Sequence, residues 1–209
     1  MRHIAKRTDI RDLILDAVDG LLAKYGYGKM TMDDVAKQVG IGKGTIYLHF
    51  PSKEELVLSH IDRIAEAVVQ KLRETADSSD AIDRRLRRML VLRVLQRFDS
   101  VAHYSQSLGD LLSSVRTPLL QRRQAYFDKE AAVFEGLLRE GARLGTLDCP
   151  DPLTASFVLI HSTNSLLPFN LSARELGRRE ELEDQVGRIA DLLIKGLLPS
   201  LSRSASWTR

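Results

Sequence analysis

Apolar residues recur at three- and four-residue steps along most of the chain, and the cleanest run comes early: Ile10, Leu13, Ile14, Ala17, Val18, Leu21, Leu22 and Tyr25. On a helix with 3.6 residues per turn this spacing makes one apolar stripe. Asp9 and Asp12 suit the N-terminal end of such a helix, Lys24 its last turn and Gly26 its stop. Two short helices are predicted next. Val35, Ala36 and Val39 mark the inner face of the first, and Ile46 anchors the second. Between them Gly40 supplies a turn that needs positive φ or a close backbone approach. Lys43, Thr45, Tyr47 and His49 are left pointing outward. A small inner residue, a glycine four positions on and an apolar residue six further is the packing arithmetic of a helix-turn-helix. Thr31 with Asp34, and Ser52 with Glu55, fit N-terminal capping boxes. Phe50-Pro51 stops the second helix, because the residue before a proline avoids the α region.

The remaining pattern continues in helices. A fourth runs from residue 53 to about 74 on the stripe Leu56, Ile61, Ile64, Ala65, Val68 and Leu72, and a polar break follows at residues 76–80. Five more are expected at about residues 81–98, 101–115, 118–143, 152–168 and 179–198, several bounded by proline. The chain thus reads as all-α, with about nine helices. A head at 1–53 precedes a body at 54–200, and residues 201–209, which hold Trp207, form a disordered tail. Residues 1–7, with Arg2, Lys6 and Arg7, are either a disordered end or a basic arm that reaches DNA.

Composition narrows the class. The chain has 209 residues, enough for one large or two small domains, and its 44% hydrophobic and 28% charged content is ordinary for a soluble globule. No apolar run approaches the ~18–20 residues of a membrane span, and the N-terminus has no secretory apolar segment, so a cytoplasmic protein without membrane partners is expected. Cys149 is the single cysteine, which excludes an intramolecular disulfide and a cysteine cluster for zinc. The net charge of +3 permits nucleic-acid binding without requiring it. Asp9, Asp12, Asp16, Asp19, Asp33 and Asp34 offset much of the head's positive charge, so DNA affinity must come from placement at a few phosphate-facing positions.

Residues 40–50, GIGKGTIYLHF, followed by Ser52-Lys53-Glu54-Glu55-Leu56, resemble the signature of the tetracycline-repressor (TetR) family. The resemblance covers roughly a quarter of the chain. It implies an all-helical bacterial transcription regulator, usually homodimeric, with an N-terminal DNA-binding head and a larger ligand-binding, dimerising body. It also implies phosphate-facing roles for Tyr47, His49 and Lys53. Beside it, the residues alone give Lys43 as the best base reader and Gly44 as the point of close backbone approach. Thr31 and Thr45 complete the expected DNA-facing set.

The body's effector pocket is expected by resemblance, since no motif marks it. Its candidate walls are Arg93, Arg97, Tyr104, Leu108, Phe127, Phe134, Phe157, His161 and Asn164, mostly apolar with a few polar anchors. Each also has an ordinary reading as core. Arg93 and Arg97 share a helix side with Ile82, Leu86 and Met89. Buried arginines must be paired, so an internal ion pair is the first expectation; solvated ends or an anionic effector are the alternatives. Leu182, Val186, Ile189, Leu193 and Leu197, with the small Ala190, form a last stripe. It would serve either a homodimer interface or packing within the chain.

These features lead to one expectation: a DNA-binding repressor that acts as a homodimer on a palindromic double-stranded operator and is released by a small-molecule effector. A regulator under partner control without an effector is the near alternative. An all-α enzyme or carrier is the distant one, because no nucleophile–His–acid set, HExxH run or phosphate-cradling glycine loop is present. No catalytic residue, metal site or cofactor is expected.

Overall fold

The computed structural model describes residues 10–168 and 177–199, without the side chains of 104–106. The basic arm at 1–7 and the tail at 201–209 therefore lie outside the described residues. Among the described residues there are nine α-helices: α1 Ile10–Lys29, α2 Met32–Val39, α3 Lys43–His49, α4 Lys53–Ala76, α5 Ile82–Val101, α6 Ser105–Ser114, α7 Arg116–Arg143, α8 Pro152–Ser162 and α9 Arg179–Leu197. Short 3-10 turns precede α6 (Ala102–Tyr104) and follow α8 (Asn164–Leu166), so the eighth helix ends earlier than its periodicity predicts.

The chain divides into two units. The first holds residues 1–65 and 100–122, the second residues 66–99 and 123–209. This division differs from the functional boundary expected near residue 53, and it returns α6 to the unit that holds the helix-turn-helix.

In the first unit, Ile14, Val18 and Leu22 of α1 close on Val35, Ile46, Phe50, Leu56 and Val57, all essentially without exposure. Gly26 breaks α1 with φ 67°, and a Cβ built there would stand 3.1 Å from the Ser107 Cβ. Glycine is needed at this point both for the backbone and for the approach of α6. The chain then makes one more turn before α2. Asp19 of α1 lies 3.4 Å from His60 Nε2 of α4 and 3.1 Å from His103 Nε2. The imidazoles of His60, chiefly, and of His103 beside it hold the Asp19 carboxyl below its ordinary range. Arg122 reaches back to Glu55 and Asp62, at 2.8 and 2.5 Å.

In the second unit the core combines Leu86, Met89, Leu90 and Val94 of α5 with Phe134 and Leu138 of α7 and Ile160 of α8. Asp151 caps α8 by accepting from the Thr154 amide at 3.1 Å, next to Pro152 at the helix start. Cys149 is buried, and burial pushes its thiol above the usual range. No described helix is long and apolar enough to cross a membrane.

Candidate nucleic-acid interface

Helix α2 starts at Thr31, whose hydroxyl accepts from the Asp34 amide at 3.2 Å. The Thr31 hydroxyl and amide both donate to Asp34 Oδ2, at 2.6 and 3.0 Å. These bonds favour the ionised carboxylate and hold it below the usual range. The sole hydroxyl proton of Thr31 is thus engaged within the cap. Thr31, expected both as a cap and among the DNA contacts, stands at the start of α2 as its cap.

At the far end of α2, Gly40 adopts φ 78°, and the amides of Gly40 and Ile41 both return to the Ala36 carbonyl, at 2.9 and 3.0 Å. This left-handed turn sets α3 across α2, as the sequence pattern requires. Ile46 is fully buried beneath α3, and Phe50 caps the helix by donating its amide to the Ile46 carbonyl at 2.9 Å. Arg11 of α1 lies over the Phe50 ring at 4.4 Å and donates to the His49 carbonyl at 3.3 Å and to Ser59 Oγ at 3.2 Å. A cation at the C-terminal end of α3 is well placed against the helix dipole. Sequence reading missed this residue, because on the pattern of α1 it is one more exposed charge.

The outward surface of α3 holds Lys43, Gly44 and Tyr47 exposed, with Thr45 and His49 half-exposed. The structure brings all five expected residues together on one short helix. Lys43 is not idle in the free chain, since its Nζ lies 3.0 Å from Asp33 of α2, a contact that raises its pKa. Lys53 departs further from expectation. Its Nζ donates to the carbonyls of Tyr27 and Met30, at 2.9 and 3.2 Å, and lies 4.3 Å from the centre of the Tyr27 ring. A lysine unfavourably placed at the start of α4 is thereby well placed at the end of α1. Its main partner is the protein's own backbone. The most exposed side chain of α3 is Leu48, at 85%, which a search for polar donors passes over.

Residues 14–59 match the family described as bacterial regulatory proteins, tetR family. The chain is 39% identical over 71 residues to the HTH-type transcriptional regulator YhgD of Bacillus subtilis, covering 34% of this chain and 35% of that one. It is 27% identical over 165 residues to the HTH-type transcriptional regulator TtgR of Pseudomonas putida, covering 73% and 77% respectively. The N-terminal domain is thus of the TetR type. The chain spans about a third of the length of YhgD (35%) and about three quarters of TtgR (77%). A transcriptional regulator from Cytophaga hutchinsonii superposes with a TM-score of 0.77 over 92% of this chain and all of that one; at 21% identity this speaks for the fold alone.

Outside its head, the chain places the expected pocket residues unevenly. Leu108 is buried in the first unit, and the side chain of Tyr104 lies outside the described ones. The other candidates fall in the second unit. Arg93 and Arg97 converge on Glu130 of α7, with Arg93 and Glu130 at 0% exposure and Arg97 at 7%. Arg93 also donates to Thr163 Oγ1 at 2.6 Å and to Asn164 Oδ1 at 2.7 Å, while Arg97 donates to the Arg93 carbonyl at 3.0 Å. The internal ion pair expected first is therefore present, and neither guanidinium is left bare for an anion. One carboxylate between two guanidiniums leaves an excess positive charge. Burial, with Arg97 beside it and against the pull of Glu130, lowers the Arg93 pKa to about 10, so Arg93 stays protonated at neutral pH.

Phe127 sits 5.5 Å from the Arg93 guanidinium, and Phe134 is fully buried. His161 is exposed, stacked on Phe157 at 6.3 Å and 3.2 Å from Asn164 Nδ2. A cleft of about 520 Å³ is lined by Arg73, Ala76, Val133, Gly136, Leu137 and Glu140 among others. A second, of about 360 Å³, is lined by Arg87, Val91, Leu92, Leu95 and Arg179 among others. The walls of both are free of the expected pocket residues.

The stripe on α9 is also rotated from its expected role. Leu182, Val186 and Ala190 are buried in the chain's own core at 3%, 0% and 0% exposure, so they face inward rather than toward a partner. Ile189, Leu193 and Leu197 are half-buried. The exposed large apolar residues of α8 and α9 are Leu192 at 73% on α9, with Leu153 at 48% and Val158 at 50% on α8.

Proposed function

We propose that this TetR-family regulator binds a palindromic operator as a homodimer, represses from it, and is released by a small molecule bound in the second unit. The observation that carries the reading is the α2–Gly40–α3 turn, which buries Ile46 and leaves Lys43, Gly44, Thr45 and Tyr47 outward on one helix. Such a helix fits the major groove, and a two-fold dimer repeats it on a half-site one or more helical turns away. Lys43, Thr45, Tyr47 and His49 supply donors for phosphates and base edges, and Lys53 acts mainly by fixing the end of α1. A cytoplasmic location follows from this role.

The dimer forms through the bare apolar residues of α8 and α9, with Leu192 at its centre. Leu192→Glu is expected to give monomers with far weaker operator binding, because two half-sites no longer act together. An undisturbed dimer in sedimentation would overturn that assignment. For the effector, Arg93 and Arg97 are already engaged by Glu130, Thr163 and Asn164, so an anion is one class among several although one excess positive charge remains. A neutral or cationic apolar compound fits as well, and a thermal-shift and operator-release screen across the three charge classes tests it.

Selection of bound duplexes from a random pool with the full chain tests the whole reading. Enrichment of an inverted repeat is expected. Recovery of no sequence motif at low salt would end it and leave a partner-controlled or non-regulatory role.

A further inference from the structure

Helix α3 carries a side chain that its donors do not explain. Leu48 is 85% exposed, while the next most exposed large apolar side chain of the described chain, Leu192, is at 73%, and the others in the first unit lie between 40% and 45%. Its direction is informative. With 3.6 residues per turn, positions 44 and 48 flank the line opposite the buried Ile46. Gly44 and Leu48 are therefore the outermost residues of the helix, with Lys43 and Tyr47 on one flank and Thr45 on the other. A Cβ built on Gly44 meets nothing within 4 Å, so no contact inside the chain calls for glycine there. Glycine inside a helix is unfavourable relative to alanine, and Leu48 presents apolar surface to water. Both features are costs for the free protein. They are complementary if the line they define enters a groove: the missing side chain lets the backbone come close, and leucine, one turn on, is the deepest projection.

We propose that Leu48 reads the C5-methyl group of thymine in the major groove, and is thus a specificity-determining residue of α3. This rests on the DNA-binding reading above. Phosphates offer leucine nothing that water does not, and the C–H groups of the sugars are the same at every base pair. Of the major-groove edges, only that of an A·T pair carries an apolar group, the thymine methyl. The flanking donors then set register on the backbone, while Leu48 carries sequence information without a hydrogen bond.

The test uses the full-length protein and a duplex recovered by selection, resynthesised with deoxyuridine in place of thymidine one position at a time. Uracil keeps every hydrogen bond and loses only the methyl. One position per half-site is expected to weaken binding about fourfold, and both together about fifteenfold, as for burial of one methyl-sized group each. Leu48→Ala, at so exposed a site, leaves the fold intact, and its binding should no longer distinguish thymine from uracil there. Wild-type protein indifferent to every thymidine replacement overturns the proposal while leaving DNA binding standing. Discrimination that persists in Leu48→Ala overturns it too, by moving the methyl contact to another residue. Failure to select any duplex removes the DNA-binding reading itself, and the proposal with it.

Discussion

The polar pairs beside the recognition helix and the buried cluster of the body are organised in opposite ways. Around α2 and α3 the pairs span short sequence distances and stay near water: Thr31 with Asp34, three residues apart, and Lys43 with Asp33, ten apart. In the body Arg93 meets Glu130 across 37 residues, both at 0% exposure, and reaches Asn164 across 71 at the edge of the site. The exposed pairs can be exchanged for a ligand at small cost, because water already stabilises each partner. The buried cluster cannot, because each charge there depends on the others. A surface that must release its own contacts to take up DNA is therefore built from the first kind, and a core that must keep one arrangement from the second.

Glu130→Gln is the strongest way to break this contrast. It leaves two guanidiniums in the core without a counter-charge and is expected to cost about 3–5 kcal/mol in denaturant unfolding. Replacing Arg93, Glu130 and Arg97 together by apolar residues of similar volume should regain most of that. A loss under about 1 kcal/mol for the single change would mean that the cluster is solvated like the head's pairs. Lys53→Met probes an intermediate case, a half-buried cation on backbone carbonyls. It should lower stability by about 1.5 kcal/mol, the lower end for charged hydrogen bonds, and leave the salt dependence of DNA binding nearly unchanged. A salt slope reduced by about one, with stability intact, would return Lys53 to the phosphates. Asp33→Asn is the gentlest. It frees Lys43 and removes a negative charge beside α3, so DNA binding should tighten by up to about fivefold, the ceiling for an exposed pair. Stability should change by less than about 0.5 kcal/mol. Weaker binding from this variant would mean that Asp33 itself helps to position Lys43 on DNA.

The same contrast explains what could be read from the sequence. The capping box at Thr31, the turn at Gly40, the anchor Ile46 and the stop at Phe50-Pro51 are local devices, and each stands where its spacing put it. Nine helices followed from periodicity for the same reason. Contacts between distant segments were less legible. That Arg93 and Arg97 need a partner follows from their helix side, but nothing near them in sequence names Glu130. Lys53 looked misplaced because its reason lies 23 residues back, at the Met30 carbonyl. On α9 apolar residues occupy more than one face, so periodicity found a stripe without deciding which side is inward. Leu48 was overlooked for a chemical reason: a search for donors ignores a residue whose information is the absence of polarity.

The discontinuity of the first unit has a consequence for protein engineering. Residues 100–122 belong with the helix-turn-helix, tied to it through Asp19 with His103, Gly26 with Ser107, and Arg122 with Glu55 and Asp62. A chimaera that exchanges only the first 53 residues would cut through this set and join surfaces that were never fitted to one another. A graft that carries the later segment along keeps the interlocking pieces in the same hands. The helix-turn-helix unit of this protein is thus transplantable as two stretches of sequence, not one.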